Sequence, residues 1–256
     1  MSDFLKISRL RKKFDGVHAV ENLNFEVRKN SITGLIGPNG AGKTTVFNLI
    51  TRFLKSDSGE IFFRGETLKN LPPRKIVDLG IARTFQQIRL WKNLTVRENL
   101  LLACSKKYDR WWDCFRRRNE ADAERKIDEI LEKFGITNLK KMHASDLSYG
   151  QSKLVELART ILTDAEILLL DEPAAGINPT LLKTIEKIIF DLKKSGKTLL
   201  VIEHNMPFLM KISDEIVAID GGKFLCQGAP AVVQKNPKLL AAYLGDAREI
   251  LKSEKC

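Results

Sequence analysis

Eight consecutive residues near the start of the chain have the types and spacing that suit phosphate binding. An apolar run at residues 31–36 precedes them, and apolar residues at helical spacing follow over residues 44–53. A glycine-rich loop is therefore expected between a strand and a helix, where backbone N–H groups can surround an anion at the positive end of the helix dipole. The loop consists of Gly37, Pro38, Asn39, Gly40, Ala41, Gly42, Lys43 and Thr44.

This loop predicts a site for a nucleoside triphosphate. The Lys43 ammonium would reach the β- and γ-phosphates, and the Thr44 hydroxyl would bind Mg²⁺. Thr45, the next residue along the helix, is a further candidate for nucleotide binding. The alternative is a simple glycine-rich turn followed by an exposed lysine.

Two adjacent acids follow a second apolar run, residues 167–170. A strand buried on both faces would place Asp171 and Glu172 at its carboxyl end, where burial of two carboxylates is costly without a purpose. A Mg²⁺-nucleotide supplies one: Asp171 would hold the metal through water, and Glu172 would polarise the water that attacks the γ-phosphate. The alternative is that the two acids only cap a helix beginning near Pro173.

Two further polar residues complete the candidate site. His204 follows another apolar run, residues 198–202, and would lie beside the same phosphate. A lone histidine is more often structural, and only its position relative to the other strands supports a catalytic role. Gln86 follows residues 81–85 in the same way. Together with the segment at residues 147–151, these elements stand in a fixed order that indicates a nucleotide hydrolase.

The segment Leu147, Ser148, Tyr149, Gly150 and Gln151 resembles the signature sequence of the ATP-binding cassette ATPases. The resemblance implies an ATP sandwich, in which Ser148 and Gly150 of one cassette face the γ-phosphate bound by a second. It also implies that Gln86 senses Mg²⁺ and the γ-phosphate and that Phe14 stacks on adenine. For Phe14, core packing is the alternative.

The chain is also similar to one transporter subfamily, with two departures from the general pattern. Tyr149 stands where the signature usually has glycine, and Asn178 stands where aspartate is usual. Residues 171–179, 202–206 and 236–245 resemble the ATP-binding subunits of branched-chain amino-acid importers. This resemblance implies a second cassette, two integral membrane permease subunits and, indirectly, an external solute-binding protein.

Length and composition agree with a single cassette. The 256 residues contain one phosphate loop and no internal repeat, so the cassette must pair with another copy or a relative. We expect one nucleotide-binding domain over residues 1–256, with a helical subdomain at about residues 90–162. No apolar stretch approaches the roughly 18 residues that cross a bilayer, and the N-terminus lacks a signal-peptide pattern. A peripheral position on the cytoplasmic face of the inner (plasma) membrane is expected.

The charge pattern leaves several interpretations open. Lysine and arginine number 43 against 32 acids, a net charge of +11, and part of the excess surrounds aromatic residues at 106–118. This segment could be a solvated helical face, a contact with anionic headgroups or a membrane subunit, or a single-stranded nucleic-acid surface. The family resemblance makes nucleic acid unlikely. The cysteines, Cys104, Cys114, Cys226 and Cys256, form no disulfide or metal pattern.

The predicted fold class is α/β, with a P-loop nucleotide hydrolase core. Buried parallel strands are expected at residues 32–36, 81–85, 167–170 and 199–202, and half-exposed antiparallel strands at 4–10, 23–28 and 60–63. Helices dominate residues 93–162, including 123–134. A short strand at 223–226 and helices from about Ala229 should follow.

Three other functions remain to be compared with amino-acid import. A cassette that powers lipid or lipopolysaccharide export would differ in its membrane partners. A DNA-repair or chromosome-type cassette would carry a long heptad insertion, and a soluble regulatory or translation cassette would carry duplicated elements. Neither feature is visible in the sequence.

Overall fold

The computed structural model of the chain describes residues 4–104 and 117–242. Within these ranges ten strands form two sheets, and eight α-helices pack around them. The larger sheet is parallel except at one edge, and the smaller sheet is antiparallel. This arrangement confirms the predicted α/β class.

The smaller sheet is an antiparallel four-stranded sheet. Its strands, numbered in chain order, are β1 (Leu5–Phe14), β2 (Val17–Val27), β4 (Ser58–Phe63) and β5 (Glu66–Thr67). Their spatial order is β2-β1-β4-β5. All three antiparallel strands predicted from the sequence are therefore present.

The larger sheet has six strands, and the phosphate loop and the predicted catalytic residues follow directly after some of them. It contains β3 (Ile32–Ile36), β6 (Ile81–Arg83), β7 (Ile167–Asp171), β8 (Thr198–Ile202), β9 (Glu215–Asp220) and β10 (Lys223–Gly228). The order is β10-β9-β3-β8-β7-β6, and only the β9–β10 pair is antiparallel. Because β3, β7 and β8 are neighbours, the segments that follow them emerge at one edge.

The helices cover the sheets, and three of them lie among the described residues between β6 and β7. They are α1 (Lys43–Ile50), α2 (Pro73–Asp78), α3 (Val96–Cys104), α4 (Arg117–Phe134), α5 (Tyr149–Leu162), α6 (Pro179–Lys194), α7 (Met206–Ile212) and α8 (Pro230–Val233). Helices α3, α4 and α5 occupy the predicted helical region. Among the described residues, no helix is both long and apolar enough to span a bilayer.

Strands β3, β7 and β8 are buried along their whole length because both faces of the sheet are covered. On one face, Leu35, Leu169 and Leu200 pack in a core that includes α1 and the antiparallel sheet. On the other face, Leu168 and Leu199 pack in a core that includes α5 and α6. Helix α1 therefore lies between the two sheets, which fixes the phosphate loop at its N-terminus.

Several boundaries differ from the predictions for local reasons. Strand β1 continues past Leu10 to Phe14. The sequence pattern stopped at Leu10 because register shifts, and Arg9 with φ of +47°, interrupt the alternation of apolar residues. Helix α1 ends at Ile50 rather than residue 53, and Arg52 has φ of +60°. The expected strand at 81–85 ends at Arg83.

One central strand was not predicted. Strand β9 is a short apolar run between acidic ends, and it pairs in parallel with β3. Parts of the predictions fall outside the described residues, namely the side chains of the basic and aromatic segment at 106–118, Cys114, Cys256 and the tail from Tyr243.

Candidate functional site

The phosphate loop has the strand-loop-helix geometry that the sequence predicts, running from the end of β3 to the start of α1. A Cβ atom at Gly37 would lie 2.2 Å from the carbonyl oxygen of Ile219, and one at Gly42 would lie 2.2 Å from that of Ala19. Gly42 also has φ of +96°, so a side chain there would strain the loop. The other loop residues are Pro38 and Ala41, which are buried, and Asn39 and Gly40, which are exposed.

The Lys43 side chain lies across the loop that precedes it. Lys43 is 7% exposed, and its Nζ donates to the carbonyl oxygens of Gly37, at 2.6 Å, and Pro38, at 2.8 Å. The first turn of α1 contains no acidic residue, no side chain caps it, and it includes the exposed Thr44 and the half-buried Thr45. An ammonium group beside an uncapped helix N-terminus forms a site for a polyanion.

Asp171 is buried at the end of β7 in an ion pair. Its side chain is 1% exposed, and Oδ2 accepts a hydrogen bond from Arg83 Nη2 at 2.7 Å. The Asp171 backbone N–H donates to Thr84 Oγ1 at 2.9 Å. The other carboxylate oxygen, Oδ1, has no hydrogen-bond partner among the residues that the structure describes. A buried carboxylate oxygen without a protein donor suits a cation or an ordered water.

Replacement of Arg83 by glutamine should destabilise the fold. Its guanidinium is 4% exposed and also donates to Asn48 Oδ1, and burial lowers its pKa. Loss of this side chain would leave the buried Asp171 carboxyl group without its hydrogen-bond partner, at a cost of about 2–3 kcal/mol. Urea unfolding measures the change, with the exposed Arg11→Gln as control. A loss equal to that of the control would contradict the inferred importance of this pair.

The Glu172 carboxylate lies beside the two other side chains that were predicted to be catalytic, His204 and Gln86. His204 Nε2 lies 3.1 Å from Glu172 Oε1, and Gln86 Nε2 lies 3.4 Å from both carboxylate oxygens. The Glu172 backbone has φ of +50°, which residues other than glycine rarely adopt, and its N–H donates to the Ile202 carbonyl at 2.9 Å. A carboxylate flanked by an imidazole and an amide can orient and deprotonate a water.

The predicted signature residues begin α5. Ser148 is its N-cap, and a capping box links it to Gln151: the Gln151 N–H donates to Ser148 Oγ, and the Ser148 N–H donates to Gln151 Oε1. Further along the helix, Lys153 Nζ donates to the Glu172 carbonyl at 3.1 Å. The helix that presents Ser148 and Gly150 is therefore attached to the acidic loop of the same chain.

The two departures from the family pattern have structural roles. The Tyr149 ring lies against Gly176, where an added Cβ would be 2.9 Å from the ring. Asn178 is the N-cap of α6, and its Oδ1 accepts from the Leu181 N–H at 2.9 Å. Aspartate could accept this hydrogen bond equally well, so asparagine preserves the start of α6.

Phe14 lies at the end of β1, away from the two main cores. It is 41% exposed, and Lys12 Nζ lies 5.3 Å from the centre of its ring. This exposure argues against the core-packing alternative. No hydrogen bond or ion pair between described residues joins Phe14, Ser148 or Gly150 to the group around Glu172.

Two charged residues of α5, Glu156 and Arg159, hold the loop after Gln86 and were not predicted from the sequence. Glu156 Oε1 accepts from the Arg89 N–H at 3.3 Å, and Arg159 Nη1 donates to the Arg89 carbonyl at 2.5 Å. Burial raises the pKa of Glu156 and lowers that of Arg159. Both residues belong to α5, so the helix that begins with the signature residues also holds the loop after Gln86. The available signal was the presence of two charged residues, Glu156 and Arg159, within the mostly apolar run at residues 154–162.

The residues at the site fit a Mg²⁺-nucleotide better than a metal held by protein alone. The described ranges contain no cluster of three or more His, Cys, Asp and Glu side chains that could hold a metal. Mg²⁺ commonly takes one or two carboxylates and completes its coordination with phosphate oxygens and water. Asp171, with its unmatched oxygen, and the exposed Thr44 supply oxygen donors of this kind.

Comparison with known proteins gives the same picture. Residues 20–175 match the ABC transporter family. The chain is 40% identical over 250 residues to the high-affinity branched-chain amino acid transport ATP-binding protein LivG of Escherichia coli K12, covering 95% of this chain and 98% of LivG. Its identity to the corresponding protein BraF of Pseudomonas aeruginosa is also 40% over 250 residues, with the same coverage.

Solved structures resemble the fold over nearly the whole chain. A nucleotide-free ATP-binding cassette from an ABC transporter has a TM-score of 0.83 and 31% identity, covering 94% of this chain and 99% of that one. An ATP-binding cassette of an ABC transporter in its ADP conformation has a TM-score of 0.83 and 32% identity, covering 96% and 100%.

Proposed function

The chain belongs to the ABC transporter family, and we propose that it is the ATP-hydrolysing subunit of an importer for branched-chain amino acids. One observation carries the hydrolytic part of the proposal: Glu172 lies at hydrogen-bond distance from both His204 and Gln86, just after the strand that ends in Asp171. The solute rests on the similarity to LivG and BraF, whose names specify branched-chain amino acid transport.

We assign the nucleotide to the phosphate loop. The triphosphate would lie against the N-terminus of α1, where Lys43 supplies a positive charge and the N–H groups supply donors. Phe14 would stack on the adenine, since its ring is exposed at the end of β1. The remaining loop contacts would come from Gly37, Pro38, Asn39, Gly40, Ala41, Gly42, Thr44 and Thr45.

Thr44, Gln86 and Asp171 are the residues that would hold Mg²⁺. When bound, the ion neutralises charge on the phosphates as the terminal phosphoryl group is transferred. Arg83 holds the Asp171 carboxylate in place through its 2.7 Å hydrogen bond. The second oxygen of that carboxylate remains available to a metal-bound water.

Glu172 is proposed to act as the general base. Its carboxylate would accept a proton from the attacking water, which it also aligns with the γ-phosphate. His204, 3.1 Å from Glu172 Oε1, would hold that carboxylate in orientation and contact the phosphate. Gln86 is exposed beside the same carboxylate and would respond to the γ-phosphate. Its movement would be passed to the loop that follows it, which α5 holds through Glu156.

We propose that two cassettes close on two ATP molecules. Ser148 and Gly150 of each would bind the γ-phosphate held by the other; in support, both lie at the N-terminus of α5, where backbone N–H groups favour an anion. The closed pair would drive two integral membrane permease subunits, which receive solute from an external binding protein. The chain would thus be peripheral, at the cytoplasmic face of the plasma membrane.

Purification from gently solubilised native membranes tests the transport assignment. The proposal predicts that the tagged chain brings with it two polytopic membrane subunits and a second cassette ATPase. Partners typical of lipid or lipopolysaccharide export would replace the amino-acid assignment. Recovery of soluble proteins or nucleic acid alone would leave the ATPase chemistry intact but remove the transporter assignment.

A further inference from the structure

Glu203 is a buried carboxylate beside the proposed catalytic group, with no role in the chemistry described so far. It directly follows β8 and is 2% exposed. In the β7–β8 ladder Asp171 pairs with Ile202, the last residue of each strand, so Glu172 and Glu203 are the first residues after these two neighbouring strands. Two glutamates thus leave the sheet side by side.

The two oxygens of Glu203 bind different loops. Oε1 accepts a hydrogen bond from the backbone N–H of Ala174, in the loop that follows Glu172, at 2.5 Å. Oε2 accepts from the backbone N–H groups of His204, at 3.0 Å, and Asn205, at 3.3 Å. Both oxygens of Glu203 therefore act as acceptors for three converging N–H donors, which oppose the effect of burial that raises the pKa of this carboxyl group.

We propose that Glu203 is a positioning residue that fixes the loop bearing Glu172 to the loop bearing His204. The inference rests on the proposed function, because it assigns a purpose to the 3.1 Å contact between those two side chains. Among the residues that the structure describes, Glu203 accepts hydrogen bonds only from backbone N–H groups, whereas Glu172 faces His204 and Gln86. The neighbouring glutamates therefore have different roles: Glu203 holds the two loops together, and Glu172 contacts the attacking water.

Glutamine at position 203 tests the hydrogen bonds of the carboxylate without changing the size of the side chain. It keeps the volume of the side chain but replaces one acceptor oxygen with an NH₂ group, which would face an N–H donor on one of the two loops. Aspartate keeps the charge but is shorter by one methylene, so it cannot span both loops equally. The exposed Glu66→Gln, on β5, is the matched control.

ATPase kinetics of the full-length chain test the proposal. Glu203→Gln should lower kcat by about tenfold to a hundredfold, the scale of a small misplacement of catalytic groups. The KM for ATP should change by less than about threefold, because the phosphate loop keeps its own contacts. Glu203→Asp should have a kcat between those of Glu203→Gln and the wild type. If Glu203→Gln does not fold, Glu203→Asp is used in its place in each experiment.

A double-mutant cycle with His204→Ala separates positioning from general destabilisation. If Glu203 acts by placing His204 against Glu172, then adding Glu203→Gln to His204→Ala should lower kcat by less than about a further twofold. Additive losses would overturn the proposal. So would a kcat of Glu203→Gln within twofold of the wild type, or a KM raised as much as kcat falls.

Imidazole NMR signals give a readout that does not depend on hydrolysis. The chain has three histidines, His18, His143 and His204, so their ring signals can be assigned by single substitutions. Glu203→Gln should shift the His204 signal and leave the other two in place. An unchanged His204 signal would overturn the positioning role. If His204→Ala alone leaves kcat unchanged, the proposed catalytic assignment of His204 fails instead, and the NMR result still decides the positioning claim.

Discussion

Glutamine at position 172 will reduce ATP hydrolysis by about a thousandfold, within the range expected for loss of a general base. The amide retains the size of the side chain and can still hydrogen-bond to His204 and Gln86, but it cannot accept the proton of the attacking water. Phosphate release from the purified chain measures the rate. ATP binding should be unchanged, because the phosphate loop does not depend on this carboxylate.

The same variant should reveal the ATP sandwich. With hydrolysis blocked, Mg-ATP should hold two cassettes together, and light scattering should give twice the monomer mass of 29.0 kDa. ADP should leave the monomer. The exposed Glu132→Gln, on α4, serves as control. A normal rate of hydrolysis in Glu172→Gln would show that another group acts as base.

Alanine at position 43 will weaken ATP binding by about a hundredfold or more. This factor corresponds to ~2.7 kcal/mol, the size of a strong charge-assisted hydrogen bond to phosphate. Lys43 is the buried cation within the loop, and its ammonium donates to two loop carbonyls, so its loss removes charge and loop support together. Titration with a fluorescent ATP analogue measures the affinity.

Lys55→Ala is the matched control for the lysine, because Lys55 is exposed shortly after α1. It should bind the analogue as the wild type does. Circular dichroism would confirm that Lys43→Ala remains folded. Unchanged affinity in a folded Lys43→Ala protein would exclude the loop as the main phosphate site.

Local sequence signals predicted the parts of the fold that are governed by local rules. The strand before Gly37 and the strand before Asp171 were predicted because continuous apolar runs of this length indicate strands buried on both faces. The parallel order of these strands also explains why Glu172 and His204 meet. Spacing alone suggested that encounter, and the 3.1 Å distance gives it a geometry.

The contacts that sequence could not supply are those between residues distant in the chain. Arg83 donates a hydrogen bond to Asp171, which is 88 residues further along the chain. Lys153 donates to the carbonyl of Glu172, which is 19 residues further along. Glu203 was visible only as an acid beside a histidine, since its partners are backbone N–H groups that carry no residue signature. Strand β9 was missed although its apolar run was present.

Amino-acid uptake by intact cells tests the central claim most directly. In a strain that lacks the chromosomal copy, radiolabelled leucine uptake should fall, and the wild-type chain on a plasmid should restore it. Glu172→Gln should not restore uptake, whereas Glu132→Gln should. Uptake that is unaffected by the deletion, or restored equally by Glu172→Gln, would contradict the account that ATP hydrolysis by this chain powers import of branched-chain amino acids.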